Sequence, residues 1–293
     1  MGKSFIAANL GALIAGRGKK VLLIDMDLGA SNLHTFLGAK SPKGGMNRFI
    51  DKTAKTLDST IVATPIPNLF FISSSDCSME IANLYHAQKK KLIEAIRKLS
   101  FDYILLDLGA GTHFNTLDFF LTSNRGIFVC TPEPTSIENA FRFIKAVYLR
   151  ILKRILKQPA FHALMEDAVN NPGLESNQSR DIIEAVLKHD PEKASYLKKS
   201  LSQFRFHFII NQFRRNGDAT LGDKIQTTCN QHFYSAFQFF GNITYDERVS
   251  SSLLSKKIFI QKHPVAETTA DLTQISKRLI HDDSVSSNSA KAS

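Results

Sequence analysis

Apolar runs that stop abruptly at a carboxylate give this chain its first organisation. Lys20-Val21-Leu22-Leu23-Ile24-Asp25 reads as a buried strand, and so does Phe101-Asp102-Tyr103-Ile104-Leu105-Leu106-Asp107. Near-continuous hydrophobicity is the pattern of a parallel strand covered on both faces. A helix with an apolar face is predicted over residues 5–15, ended by Gly16 and Gly18. A longer helix starts at Ile137. One face carries Ile137, Phe141, Ile144, Tyr148, Ile151, Leu152 and Ile155; the other carries Arg142, Lys145, Arg150, Lys153, Arg154 and Lys157. Residues 265–280 form another, with Leu272, Ile275, Leu279 and Ile280 apolar. Lys89-Lys90-Lys91 reads as the exposed face of a helix. Phe237, Phe239 and Phe240 read as core, because no basic residues interleave with them to make a base-stacking platform. Buried strands among amphipathic helices predict an α/β fold: a mostly parallel twisted sheet with helices on both faces.

The first helix opens at Met1-Gly2-Lys3-Ser4. Gly-Lys-Ser is the back half of the phosphate-binding pattern G-x-x-x-x-G-K-[ST]. In such a loop, backbone N–H groups converge at a helix N-terminus, Lys reaches the β/γ-phosphates and Ser ligates Mg²⁺. Lys3 and Ser4 fit those roles; a plain processed N-terminus is the bland alternative. Two further motifs separate the readings. The first strand ends in Asp25 and Asp27, one residue apart, and runs on through Gly29 to a short helix. The second ends in Asp107, followed by Leu108-Gly109-Ala110-Gly111. Ligands of an open parallel sheet sit at the carboxyl ends of its strands. A carboxylate there with a Gly-rich turn suits a Mg²⁺ shell and a loop that senses the γ-phosphate. Either motif alone could be a strand, a capping Asp and a turn. All three in this order point to ATP and Mg²⁺.

On these residues the chain resembles the MinD/ParA group of deviant Walker A P-loop ATPases, of the SIMIBI type, and is most similar to MinD and FlhG-like members. The resemblance covers about residues 1–150 and 204–280. It implies catalytic roles for Lys3 and Asp27, the latter positioning the attacking water. It implies nucleotide contacts from Gly2, Lys3, Ser4, Phe5, Asp107, Gly109 and Gly111. It places Mg²⁺ near Ser4, Asp27 and, through water, Asp107. Asn32 matches a residue near the dimer face. Pro132 and Glu133, within Thr131-Pro132-Glu133-Pro134, match a segment on the adenine side. Asn211, ending Phe208-Ile209-Ile210-Asn211, matches the reader of the base. In the last core segment, Gly241-Asn242-Ile243-Thr244-Tyr245-Asp246, Thr244 stands where the family has Pro, which puts a base-packing role there in doubt.

The family loop reads K-G-G-V-G-K-[ST]. Met1 stands where the family has Val, and the first strand, the early Lys and two glycines are missing from this chain. That strand sits mid-sheet, so its loss exposes two edges. The expectation is a misplaced start, and a 293-residue polypeptide that is insoluble or unable to bind ATP. Residues 1–281 are expected to form one P-loop ATPase domain with a helical insertion at about 150–203, and 282–293 a disordered polar tail. The resemblance implies an ATP-dependent homodimer, read by a regulatory protein partner.

Composition narrows the rest. Cys77, Cys130 and Cys229 are scattered without a C-x-x-C, which fits a reducing cytoplasm and core filling, not a cluster or zinc site. No run of 18 apolar residues occurs. The C-terminal tail lacks an apolar face, so membrane contact is expected only through a partner. The net charge of +10 is uneven: residues 141–215 hold 14 Lys/Arg against 7 Asp/Glu. His34 and His113, beside the two Asp motifs, read as solvated loop residues. The leading reading is a MinD/FlhG-like ATPase that positions a cellular structure. The alternatives are a ParA-like nonspecific DNA binder, allowed by the basic excess, and a non-hydrolysing adaptor.

Overall fold

The computed structural model describes residues 2–28, 31–39, 44–74, 84–155 and 191–291. Met1, Gly29, Cys77, Lys157 and most of the expected insertion lie outside them. The elements run α1 (Lys3–Ala15), β1 (Val21–Asp25), α2 (Leu33–Phe36), α3 (Asn47–Ile50), β2 (Val62–Ala63), β3 (Leu69–Ile72), α4 (His86–Arg97), β4 (Tyr103–Asp107), α5 (Phe114–Phe120), β5 (Arg125–Cys130) and α6 (Pro134–Ile155). They continue with α7 (Pro191–Ser202), β6 (Arg205–Phe213), α8 (Leu221–His232), β7 (Ala236–Thr244), α9 (Arg248–Leu254), α10 (Phe259–Lys262) and α11 (Glu267–Lys291). The fold is α/β, as expected. The chain divides into two compact units: Gly2–Phe120 with Ile243–Ser293, and Leu121–Asn242. The physical reason lies in the strands: no ladder of the described residues runs from one unit's sheet to the other's.

The first unit holds a four-stranded sheet in the order β2-β3-β1-β4. β1 is buried throughout and pairs in parallel with β3 and β4. Short β2 closes one edge antiparallel to β3. β4 forms the other edge, and its Ile104, Leu105 and Leu106 are only half-buried. Leu22, Ile24, Met46, Ile72, Leu92 and Phe119 build the core on one side. On α1, the Asn9 side chain donates to the Phe5 carbonyl and accepts the Ile260 N–H, fastening α10 to it.

α11 packs on α1 through a stripe that includes buried Leu272, Ile275 and Leu279. It continues to Lys291, which corrects the expected disordered tail from 282. A helix already nucleated by docked residues adds one hydrogen bond per further residue, so polar Asp and Ser continue it.

The second unit has the sheet β5-β6-β7, with β5 and β6 parallel. Its core is aromatic: Phe128 stacks on Phe208 and meets Phe206 edge-on, and Phe237 touches Phe206, Phe208 and Phe233. Tyr148 of α6 reaches buried Ser235, whose N–H donates to its hydroxyl at 2.9 Å. Cys130 and Cys229 are both fully buried, matching the filler reading, and burial pushes the Cys130 thiol up to about 11. Lys89, read as an exposed helical face, is buried; Lys90 and Lys91 are exposed. The triplet spans too much of a turn for all three to share one face.

Candidate functional site

The β1–β4 register sets Asp25 directly beside Asp107 at the carboxyl ends of two parallel strands. Two buried carboxylates therefore meet where a parallel sheet presents its ligand edge. The chain leaving β1 is tied to β4, since the Met26 N–H donates to the Asp107 carbonyl at 2.9 Å. This brings Asp27, half-buried, against the loop after β4. A Cβ on Gly109 would stand 3.2 Å from the Asp27 carboxylate, so a larger residue there would make that carboxylate shift by a few tenths of an ångström. Gly111 follows with a φ of 91°, a glycine conformation.

α1 begins at the same corner. Gly2 caps it in a left-handed conformation, with no side chain bonded to the first-turn N–H groups. Those donors and the helix dipole favour an anion there. Lys3 and Ser4 are half-buried, and both lie near enough to Asp107 to favour its charged form. Phe5 is buried and packs edge-on to Phe36 and Phe259, which leaves its backbone N–H alone for a ligand.

Burial pushes the Asp107 carboxyl up to about 6; Ser4 and the Lys3 charge oppose the rise, and Asp25 and Asp27 add to it. Asp25 is raised for the same first reason, burial, against three bonds that favour its charge. Those bonds are the Ser31 hydroxyl at 2.6 Å, the Leu33 N–H at 3.2 Å and the Asp27 N–H at 3.1 Å. Asp25 thus ties Asp27, Ser31 and the start of α2 to the end of β1. The residue signal was present, a carboxylate at the strand end two residues before Asp27, but its role needed the fold. Asn32, expected near a dimer face, is exposed at the start of α2 and makes no capping bond.

Three carboxylates meet here, with the Lys3 charge acting on Asp107; a divalent cation would neutralise the excess negative charge. Among the described residues no three His, Cys, Asp or Glu side chains form a metal cage. Mg²⁺ does not need one: it keeps waters and takes one or two carboxylates plus phosphate oxygens. Ser4, Asp27 and Asp107 are hard oxygen donors of that kind.

The residues expected on the base side belong to the unit Leu121–Asn242. Cys130 ends β5 and pairs with Ile210, so Thr131 follows just past that end while Asn211 is still inside β6. The Thr131 N–H donates to Ser136 at 3.0 Å, shaping the turn that holds half-buried Pro132 and exposed Glu133. A bond from the Thr131 hydroxyl lowers the Glu133 carboxyl. Asn211 is buried. Thr244 has a different task. Its N–H donates to Asp271 at 2.9 Å and its carbonyl accepts the Thr268 hydroxyl at 2.8 Å, bonds made within the first unit. A proline could not make the first bond. His113 is exposed, but His34 is half-buried with Nδ1 shielded and without a partner, which corrects its reading as solvated.

Comparison with known proteins adds the family. Residues 1–259 match the family model described as the CobQ/CobB/MinD/ParA nucleotide binding domain. The septum site-determining protein MinD of Synechocystis is 33% identical over 147 residues, covering 49% of this chain and 54% of the relative. The flagellum site-determining protein YlxH of Helicobacter pylori is 32% identical over 149 residues, covering 50% and 49%. The chain thus spans about half the length of these curated relatives. In structure it is similar to Pyrococcus horikoshii MinD complexed with Mg-ADP, with a TM-score of 0.64, 17% identity, and coverage of 95% of this chain and 90% of that one.

Proposed function

The chain belongs to the CobQ/CobB/MinD/ParA nucleotide-binding family, and from that premise we propose a MinD/FlhG-like ATPase, a dimerising switch that positions or regulates a cellular structure. The observation that carries this reading is the oxygen corner. Ser4 favours the charged form of Asp107, Asp25 lies beside Asp107 in register, and Asp27 comes close to Gly109, with α1 starting uncapped at Gly2.

In this reading Gly2, Ser4 and Phe5 offer backbone N–H groups to phosphate oxygens, and Lys3 places its charge on the β/γ-phosphates. Bound Mg²⁺ would supply charge neutralisation between those phosphates. Ser4 and, through water, Asp107 would hold it, with Asp27 close by. Asp27 orients the attacking water, and Asp25 fixes Asp27. Transfer of the phosphoryl group to water needs positioning and charge stabilisation more than covalent chemistry from the protein. Pro132, Glu133 and Asn211 serve the adenine. Gly109 and Gly111 let the loop respond to the γ-phosphate, and a homodimer or regulatory protein reads that response. No helix among the described residues is long and apolar enough to cross a membrane.

The test pairs phosphate release with binding of a fluorescent ATP analogue, in this chain and in Asp27→Ala. Turnover is expected to fall about 100-fold or more in the variant, with binding within about threefold. A variant that still turns over at the original rate refutes the role of Asp27. ATP-dependent retention on DNA that drops steeply with salt would favour the partition-type alternative. Absent turnover with intact binding would favour the adaptor.

A further inference from the structure

Lys89 of α4 and Asp118 of α5 form an ion pair almost closed to solvent, their side chains 9% and 4% exposed. The same ammonium donates to Asn115 Oδ1 at 3.2 Å. Asn115 and Asp118 stand three residues apart, on one face of α5. One cation therefore grips the beginning of that helix at two points. α5 starts where the loop of Gly109 and Gly111 ends, and the Leu117 N–H donates to the His113 carbonyl at 3.0 Å. The gripping side is well anchored. Leu92 and Ile96 of α4 sit in the same core cluster as Ile72 and Phe119, and the Tyr85 N–H donates to Gln88 to cap the helix start.

A buried pair of this kind is a poor source of net stability, because desolvating two charges offsets their attraction. What it fixes is register. An apolar contact would hold the helices together at several rotations; an ammonium between an amide oxygen and a carboxylate is satisfied at one. We propose that Lys89 is a positioning residue for the loop 108–113, setting the exit direction of the segment that carries Gly109 against Asp27. It acts through Asn115 and Asp118, and it rests on the ATPase reading above.

The test uses the full chain and two changes. Asn115→Ala leaves the ion pair and removes one grip. The double change Lys89→Met with Asp118→Leu replaces the pair by apolar contact of similar size and leaves no buried charge. Expected in the double variant are a KM within about twofold, a kcat lowered about tenfold, and amide exchange at 108–114 faster by about tenfold, with α4 unchanged. Asn115→Ala should move both kcat and exchange in the same direction, by about threefold. A well-folded double variant with native kcat and native exchange would mean a purely structural pair and overturn the proposal. If the double variant melts early, Asn115→Ala decides by the same two readouts. If the parent chain binds nucleotide without hydrolysing it, the ATPase reading fails on its own, and the exchange at 108–114 still decides for or against the grip.

Discussion

The two sheets end in opposite chemistry. In the first unit, β1 and β4 finish on paired, buried carboxylates, Asp25 and Asp107. In the second, β5 and β6 lead to neutral hydrogen-bonding groups at matching positions, Thr131 and Asn211. The same ligand edge of a parallel sheet is thus built once for charge and once for hydrogen-bond reading. Charge at a buried edge is expensive unless something neutralises it, whereas buried neutral groups ask only for partners. The first edge should therefore carry the stronger pH dependence.

The sharpest way to break this contrast is at Ser4 and Asp107. Ser4→Ala with Asp107→Asn is expected to weaken Mg-nucleotide binding by about 100-fold or more, since charge-assisted contacts dominate such sites. Isothermal titration measures it. The next effect is in pH. The Asp107 carboxyl is raised from 3.8 to about 6 by burial, so the folded protein holds a proton that the unfolded chain has released. Stability without nucleotide should fall as pH rises between about 4 and 6, by on the order of 2–3 kcal/mol from this group, and level off above. Below pH 6, Mg-nucleotide binding must expel that proton, so affinity should climb with pH, and Asp107→Asn should flatten the climb. Denaturant melts and proton-release calorimetry check both.

Smaller effects follow at the neutral edge and beyond it. Asn211→Ala should raise KM by about tenfold, the cost of one lost buried hydrogen bond, with kcat unchanged and the preference for ATP over GTP weakened. Thr244→Pro, the residue common in the family, should cost about 1–2 kcal/mol by leaving Asp271 without its donor, with nucleotide affinity unaltered; a thermal melt shows it.

Much of this was legible from the residues. Val21–Asp25 and Tyr103–Asp107 are strands ending in carboxylates, as their apolar runs suggest, though only the first is buried throughout. The expectation of a phosphate corner rested on Lys3, Ser4, Asp27 and Asp107, and the β1–β4 register brings Asp107 beside Asp25. What stayed hidden depends on contacts distant in sequence. Lys89 sits in a lysine triplet that reads as solvent-facing, and its partner Asp118 lies 29 residues on, in another helix. Asp25 and Asp27 look alike in sequence; only the positions of Ser31 and Leu33 assign one to structure and the other to the site. The division into two units depends on which strands find neighbours, and helix continuation past Asp282 on docking at the other end.

The bonds around Asp25 also bear on which metal the corner would accept. Its oxygens already take the Ser31 hydroxyl and the Leu33 and Asp27 N–H groups, so the chain presents two carboxylates to a cation rather than three. Calcium asks for six to eight oxygens in a pliable shell, and magnesium for an octahedron it can complete with water. The corner is thus poor in ligands for the larger ion and sufficient for the smaller: calcium is expected to be a weak substitute, and manganese, close to magnesium in its demands, a good one.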